Sequence, residues 1–194
     1  MGKKIWDKPS ALFRAVTRGK NPPKTEDVGG MLSTLKDAGL TPKAIAQRIG
    51  LRGDRTVKNW LSGKSKPKPE NLMKLQDTVR TSPEVRRQAL SPLRESRMRN
   101  QGSYVRMTAK IGAKSPGKGF VGRERTIGGD GEHPLFLEPD QIATILDAYN
   151  TGDDEAAVQA LTDALGDQYY GGIVFEDVSN LEFIRDYGGD RPEM

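Results

Sequence analysis

Apolar residues recur first at three- and four-residue spacing and, later, at every second position, so the pattern predicts a helical front followed by a mixed region of strands and helices. Residues 9–18 place Leu12, Phe13 and Val16 on one side and Arg14 and Arg18 on the other, a short helix stopped by Asn21-Pro22-Pro23. Thr25 is the expected cap of a second helix, with Glu26 and Asp27 in its first turn, Val28, Met31, Leu32 and Leu35 inward, and Gly39 at its end. Thr41 and Pro42 open a third, with Ile45, Ala46 and Ile49 on one face; Gly50 ends it and Leu51 tucks back. Asp54 is the expected cap of a fourth helix, with Val57, Trp60 and Leu61 inward. Pro69 starts another, with Leu72, Met73, Leu75 and Val79 as its buried stripe. Ser82-Pro83-Glu84 begins a further helix, arginine-rich and interrupted at Pro92.

From Ser103 the period becomes two. Ser103, Val105, Met107, Ala109 and Ile111 alternate with Tyr104, Arg106, Thr108 and Lys110, the pattern of a half-buried strand. The stretch holding Gly112, Gly117, Gly119, Gly122, Gly128, Gly129 and Gly131 reads as mobile loops with a second strand, Phe120 to Ile127, inside it. Leu135-Phe136-Leu137 is a short strand. Pro139 starts a helix with Ile142, Ile145, Leu146 and Tyr149 inward, and Asp153 to Leu165 makes another with Ala157, Val158, Leu161 and Leu165. Ile173-Val174-Phe175 and Leu181 to Ile184 are two closing strands. The expected fold is α+β in two domains: an all-α helix-turn-helix bundle over 1–80, a basic helical arm over 81–102, and a small domain with an antiparallel sheet under two helices over 103–194.

Charge turns this outline towards function. Residues 132–194 carry two basic and fifteen acidic side chains, net −13, whereas residues 1–131 carry 29 basic and 11 acidic, net +18. A surplus of that size favours phosphate contacts at the front, and the acidic end is repelled by the same ligand. The chain has no cysteine, which excludes disulfides, thiolate nucleophiles and cysteine-ligated zinc. No apolar run approaches the ~20 residues of a membrane span, and the start lacks the apolar core of a signal peptide, so a cytoplasmic, nucleoid-associated protein is expected.

The spacing of Ala46, Gly50 and Val57 is that of a DNA-binding helix-turn-helix, with Leu51-Arg52-Gly53 making its turn one residue longer than usual. The outward face of its second helix is Arg55, Thr56, Lys58 and Asn59, of which Arg suits guanine and Asn adenine. Thr41, Lys43 and Arg52 flank it, and Lys64, Lys66 and Lys68 of the Lys-Pro linker are set for phosphates. Arg86, Arg87, Arg94, Arg97 and Arg99 read as an arm along the DNA backbone.

Catalytic patterns are poorer. Gly112 to Gly119, GAKSPGKG, is like a phosphate-binding loop, but Gly119 stands where Ser or Thr is required. His133, the single histidine, excludes two-histidine metal relaxases. Tyr169-Tyr170 read as core and rim, and the carboxylate pairs Asp153-Asp154 and Glu176-Asp177 lie in the region that avoids DNA. No catalytic constellation, metal-ligand set or cofactor motif is legible, so the chain is expected not to be an enzyme.

The order of parts is itself informative. An Ala15-Val16-Thr17-Arg18 helix end, a helix-turn-helix with Arg55-Thr56-Val57, the linker Lys66-Pro67-Lys68-Pro69, an arginine-rich helix, a glycine-interrupted strand region and an acidic end with Leu181-Glu182-Phe183-Ile184 resembles the terminal proteins of linear actinobacterial chromosomes and plasmids. The resemblance runs from about Ala15 to Ile184. It implies a protein that binds telomeric DNA and offers a side-chain hydroxyl to the first nucleotide, so that a polymerase patches the recessed 5′ end and the protein stays attached. It also implies a priming hydroxyl in the middle region, Thr126 first, then Ser115 and Thr108, with DNA polymerase and telomere-associated replication proteins as partners. The contrasting reading is a sequence-specific transcriptional or copy-number regulator, which needs no priming hydroxyl and reads a palindrome as a homodimer.

Overall fold

The computed structural model describes residues 4–115, 119–128, 135–168 and 174–185. Within them the order is α1 (Lys8–Val16), α2 (Val28–Asp37), α3 (Pro42–Arg48), α4 (Arg55–Leu61), α5 (Pro69–Thr81), α6 (Pro83–Ala89) and α7 (Pro92–Gln101). Then follow β1 (Ser103–Ser115), β2 (Gly119–Ile127), β3 (Leu135–Leu137), α8 (Pro139–Thr151), α9 (Asp154–Gln168) and β4 (Val174–Ile184). The fold is α+β, and the chain divides into two compact units: a helical unit of residues 22–89 with 150–152, and a sheet unit of the remainder.

In the helical unit, α2, α3 and α4 all end by the same device. Gly39, Gly50 and Gly63 take φ of +90°, +76° and +70°. Each amide bonds back two residues before the cap, and the next residue closes the wider turn, as Leu51 N does to Ala46 O at 2.8 Å. Leu40 and Leu51, the residues just past the first two glycines, fold onto the core, whereas Lys64 past the third stays exposed; the chain leaves the core there. The core gathers Met31, Leu32 and Leu35 of α2, Ile45 and Ala46 of α3, Val57 and Trp60 of α4, Leu75 and Val79 of α5 and Val85 of α6. Two expected stripe members point outward, Leu61 at 40% and Met73 at 67% exposure. Thr25 is not the cap of α2: Asp27 accepts from the amides of Gly29 and Gly30 at 3.1 and 2.9 Å, and the Thr25 carbonyl accepts from Gln76 Nε2 instead.

α6 joins this unit rather than a separate arm, because Val85 enters the core and Glu84 grips α3. Arg48 meets the Glu84 carboxylate with two nitrogens, at 2.9 and 2.6 Å, and the Ser82 hydroxyl donates to the same group at 2.8 Å. The Arg48 hydrogen bond holds the Glu84 carboxyl at about 2, against the opposing effect of burial, with Ser82 assisting. The folded value is depressed, so the stabilisation is complete above the unfolded value of about 4.3 and disappears as pH falls through about 2. Glu84→Gln is therefore expected to cost about 1 kcal/mol at neutral pH and almost nothing near pH 2, measured by urea unfolding at both.

The sheet unit is built on β1, which pairs antiparallel with every other strand. β2 runs from Met107↔Ile127 to Ser115↔Gly119, and β3 from Ser103↔Leu137 to Val105↔Leu135. β4 runs from Tyr104↔Ile184 to Gly112↔Val174. The buried face of β1 is Ser103, Val105, Met107, Ala109 and Ile111, as its alternation predicts. The two expected closing strands are one. A bulge opposite Thr108 and Lys110 absorbs the residues between them, with Asp177 at φ +48° and its carboxylate 2.6 Å from Lys110 Nζ. Ile173, at the expected start of the first, lies outside the described residues.

α8 buries Ile142, Ile145, Leu146 and Tyr149, and α9 buries Ala157, Leu161, Ala164 and Leu165, with Val158 half-buried. Four helices rather than two accompany the sheet, since α1 and α7 belong to this unit. For α1 this corrects the expected domain boundary. Trp6 N donates to Val178 O of β4 at 2.8 Å just before the helix, and the Phe13 ring of α1 lies 6.0 Å from that of Tyr149.

Candidate nucleic-acid interface

α4 is seven residues long and owes its position to two of them, Val57 with no exposure and Trp60 with 6%. Its other face follows from that anchoring: Arg55 and Lys58 are exposed, and Thr56 and Asn59 are half exposed. Asp54 does not cap the helix. It forms a surface pair with Lys58 at 2.8 Å, one turn along, an interaction of little net worth that a phosphate can displace. Asp54 is itself in the α-conformation, so its side chain is not aimed at the free amides of the first turn.

Around α4 the helical unit carries further exposed polar groups. The Thr41 hydroxyl caps α3, accepting from Ala44 N at 3.2 Å, and remains at the surface with Lys43 and Arg52. Lys64, Lys66 and Lys68 are exposed along the segment between α4 and α5, where Pro67 and Pro69 forbid helix until the latter begins α5.

The arginine-rich stretch is not an extended arm. Arg86 is buried, with Nε and Nη2 donating to the Arg80 carbonyl at 3.1 and 2.9 Å, which removes it from any DNA-facing set. Arg94, in the sheet unit, donates to Val16 O, Ala15 O and Phe183 O at 2.8, 2.9 and 3.1 Å, tying the end of α1 to β4. Arg99 binds Glu95 at 3.0 Å and Asp147 at 2.7 Å. Arg87 remains exposed in the helical unit, and Arg97 is half exposed in the sheet unit. For Arg86 and Arg94 the physical reason is shared: helix ends and an edge strand leave carbonyls without partners, and a guanidinium group satisfies them.

Two of the hydroxyl candidates, Thr108 and Thr126, sit in paired strands rather than in a loop. Thr108 and Thr126 face each other across β1 and β2 with their hydroxyls 3.1 Å apart, at an exposed position. Gly112 and Gly122 also face each other there, and a Cβ on Gly112 would lie 2.0 Å from Val121 O. Gly112 and Gly122 are thus the means by which two strands approach closely. Ser115 ends β1 opposite Gly119, and its side chain lies outside the described residues, as do Gly117, Gly129, Gly131, His133, Tyr169 and Tyr170.

Sequence reasoning missed a basic groove of about 750 Å³ in the sheet unit, to which Arg14, Arg18 and Arg185 contribute alongside Arg94 and Arg97. The one signal for it was the outward position of Arg14 and Arg18 on the first helix. Among the described residues no helix is long and apolar enough to cross a membrane. No protein-family model, curated protein or solved structure matches the chain.

Proposed function

We propose that the chain is a DNA-binding terminal protein of a linear replicon. In this reading α3 and α4 act as a helix-turn-helix on telomeric DNA, and a hydroxyl of the β1–β2 hairpin accepts the first nucleotide. The observation that carries it is the donor face of α4, with Arg55, Thr56, Lys58 and Asn59 turned from a core that Val57 and Trp60 hold, beside a run of exposed lysines. The net charge of +18 on residues 1–131 supports it.

Priming asks little catalysis of the chain. The hydroxyl oxygen attacks the α-phosphorus of a deoxynucleoside triphosphate, forming an oxygen–phosphorus ester as the α–β anhydride breaks; pyrophosphate leaves with the electron pair, and the hydroxyl proton passes to a base of the polymerase, which also supplies the metal ions. What the hydroxyl needs is reach. Thr126 loses the flexible loop that favoured it. The end of β1 gains reach, because Ser115 lies three positions beyond the last pairing with β4, at Gly112, or roughly 10 Å along an extended strand.

Incubation with polymerase, telomere-like template and labelled deoxynucleotide, followed by a denaturing gel, tests this. Ser115→Ala is expected to abolish the protein-bound label, while Thr126→Val and Thr108→Val keep it. Loss in Thr126→Val alone moves the linkage there. A chain that binds DNA but takes no label is a regulator.

A further inference from the structure

We infer that the groove between α1, α7 and the outer edge of β4 is a phosphate-binding site in its own right, separate in the chain from α4 and its reading. Arg14, Arg18, Arg94 and Arg97 line it together with Arg185, and among the described lining residues the carboxylate is Glu182. Its volume is about 750 Å³, within the range of small-molecule sites.

The arrangement is built. α1 ends in two successive left-handed residues, Arg18 at φ +59° and Gly19 at φ +87°, with Gly19 N bonded to Arg14 O at 2.7 Å and Thr17 Oγ to Phe13 O at 2.7 Å. A left-handed turn is cheap for glycine and strained for arginine, yet this one brings an arginine to the groove. Arg94 is fixed beneath by its three carbonyl bonds. Burial lowers its pKa first, and the positive charges of Arg97 and Arg18 lower it further, so these guanidiniums are near enough to repel one another. Arg14 stacks 4.4 Å over the Trp6 ring and donates to Asn21 Oδ1, which holds it at the groove wall.

Crowding of the like charges of Arg18, Arg94 and Arg97 calls for a ligand that supplies several negative oxygens, and guanidinium forks match phosphate oxygens in pairs. The side of β4 away from β1 also lines the groove, but the Trp6 amide and Arg94 already take its Val178 and Phe183 carbonyls, and a peptide strand does not answer the cluster of cations. The shared chemistry is a phosphate-bearing anion, arriving either as a nucleic-acid strand or as a free nucleotide or pyrophosphate.

Trp6 makes the site observable. In the full chain carrying Trp60→Phe, Trp6 is the single indole; adding Arg55→Ala, Lys58→Ala and Asn59→Ala removes the donors of α4, so that a failure there leaves this test standing. Titration with pyrophosphate, a deoxynucleoside triphosphate and a single-stranded oligonucleotide is expected to give a saturable change in Trp6 emission. Arg18→Gly and Arg97→Gln should each weaken it at least tenfold. Arg18→Gly also relieves the strained turn, so its thermal midpoint should equal or exceed the parent's, which separates lost binding from lost structure. A response to the oligonucleotide alone assigns the groove to backbone phosphates, and a response to the small anions alone to terminal or free ones; both uphold a phosphate site. No response, unchanged affinity in both variants, or equal binding of a glutamate-rich peptide overturns it.

Discussion

Alanine at Arg55, Lys58 and Asn59 together is expected to weaken binding to duplex DNA by at least about a hundredfold while leaving the thermal midpoint within about 2 °C of the parent. The binding loss follows from base contacts worth about 1–3 kcal/mol each for well-formed pairs, with Lys58 adding a phosphate contact. The stability of the variant follows from where α4 keeps its anchors: Val57 and Trp60 are untouched, the Asn59 carbonyl that accepts from Lys64 N belongs to the backbone, and alanine favours helix. Anisotropy titrations at two salt concentrations separate the parts. Arg55→Ala should relax base preference, whereas Lys58→Ala should weaken all sequences alike and reduce the logarithmic salt slope by about one. Full affinity in the triple variant, with the fold intact, would remove α4 as the reading surface.

How far the sequence reaches can be argued residue by residue. The stripe of α8 was legible in full because every member of its periodic set is buried, and the turns at Gly39 and Gly50 were legible because a left-handed helix end has few other residues to choose from. Periodicity states that a helix has an apolar side but not what covers it. α1 therefore showed its face correctly and its allegiance wrongly, since the partner is β4, more than 150 residues away in the chain. Leu61 and Met73 failed at the edge of a stripe, where a rotation of one residue decides exposure. Glycine density had a second meaning at Gly112 and Gly122: the same residue that loosens a loop permits two backbones to close, and the Gly112↔Gly122 pairing is a property of register.

The arginines carry the same lesson into function. By composition Arg86, Arg87, Arg94 and Arg97 are equivalent, and no local signal says that the first lies on the Arg80 carbonyl or that the third spans the end of α1 and β4. The basic surplus of the front region is consequently divided. One part is exposed on the helical unit around α4, one part holds the fold, and one part, from positions 14–18 and 94–97, lines the groove of the sheet unit, where Arg185 of the acidic region joins it. The −13 of residues 132–194 likewise does not make an acidic face throughout, because Asp147 and Asp177 are spent on Arg99 and Lys110.

Gly112→Ala should disable the hairpin without touching any candidate hydroxyl. The added methyl would stand 2.0 Å from Val121 O and 2.4 Å from the Gly122 Cα, both backbone atoms that no rotamer change can move. β2 must then retreat or change register, and a one-residue slip would turn Ile127 out of the core. Strain of this kind costs about 1–3 kcal/mol, to be borne by the hairpin rather than by the β1–β4 ladder on the other side of the strand. Hydrogen exchange is expected to speed up over residues 119–127 and to change little across β4. If the hairpin is the priming arm, covalent labelling should fall at least tenfold while DNA affinity holds, because the arm can no longer present β1's end as a paired, stiff projection. Full labelling on a hairpin shown by exchange to be open would mean that the hydroxyl is delivered by some other part of the chain.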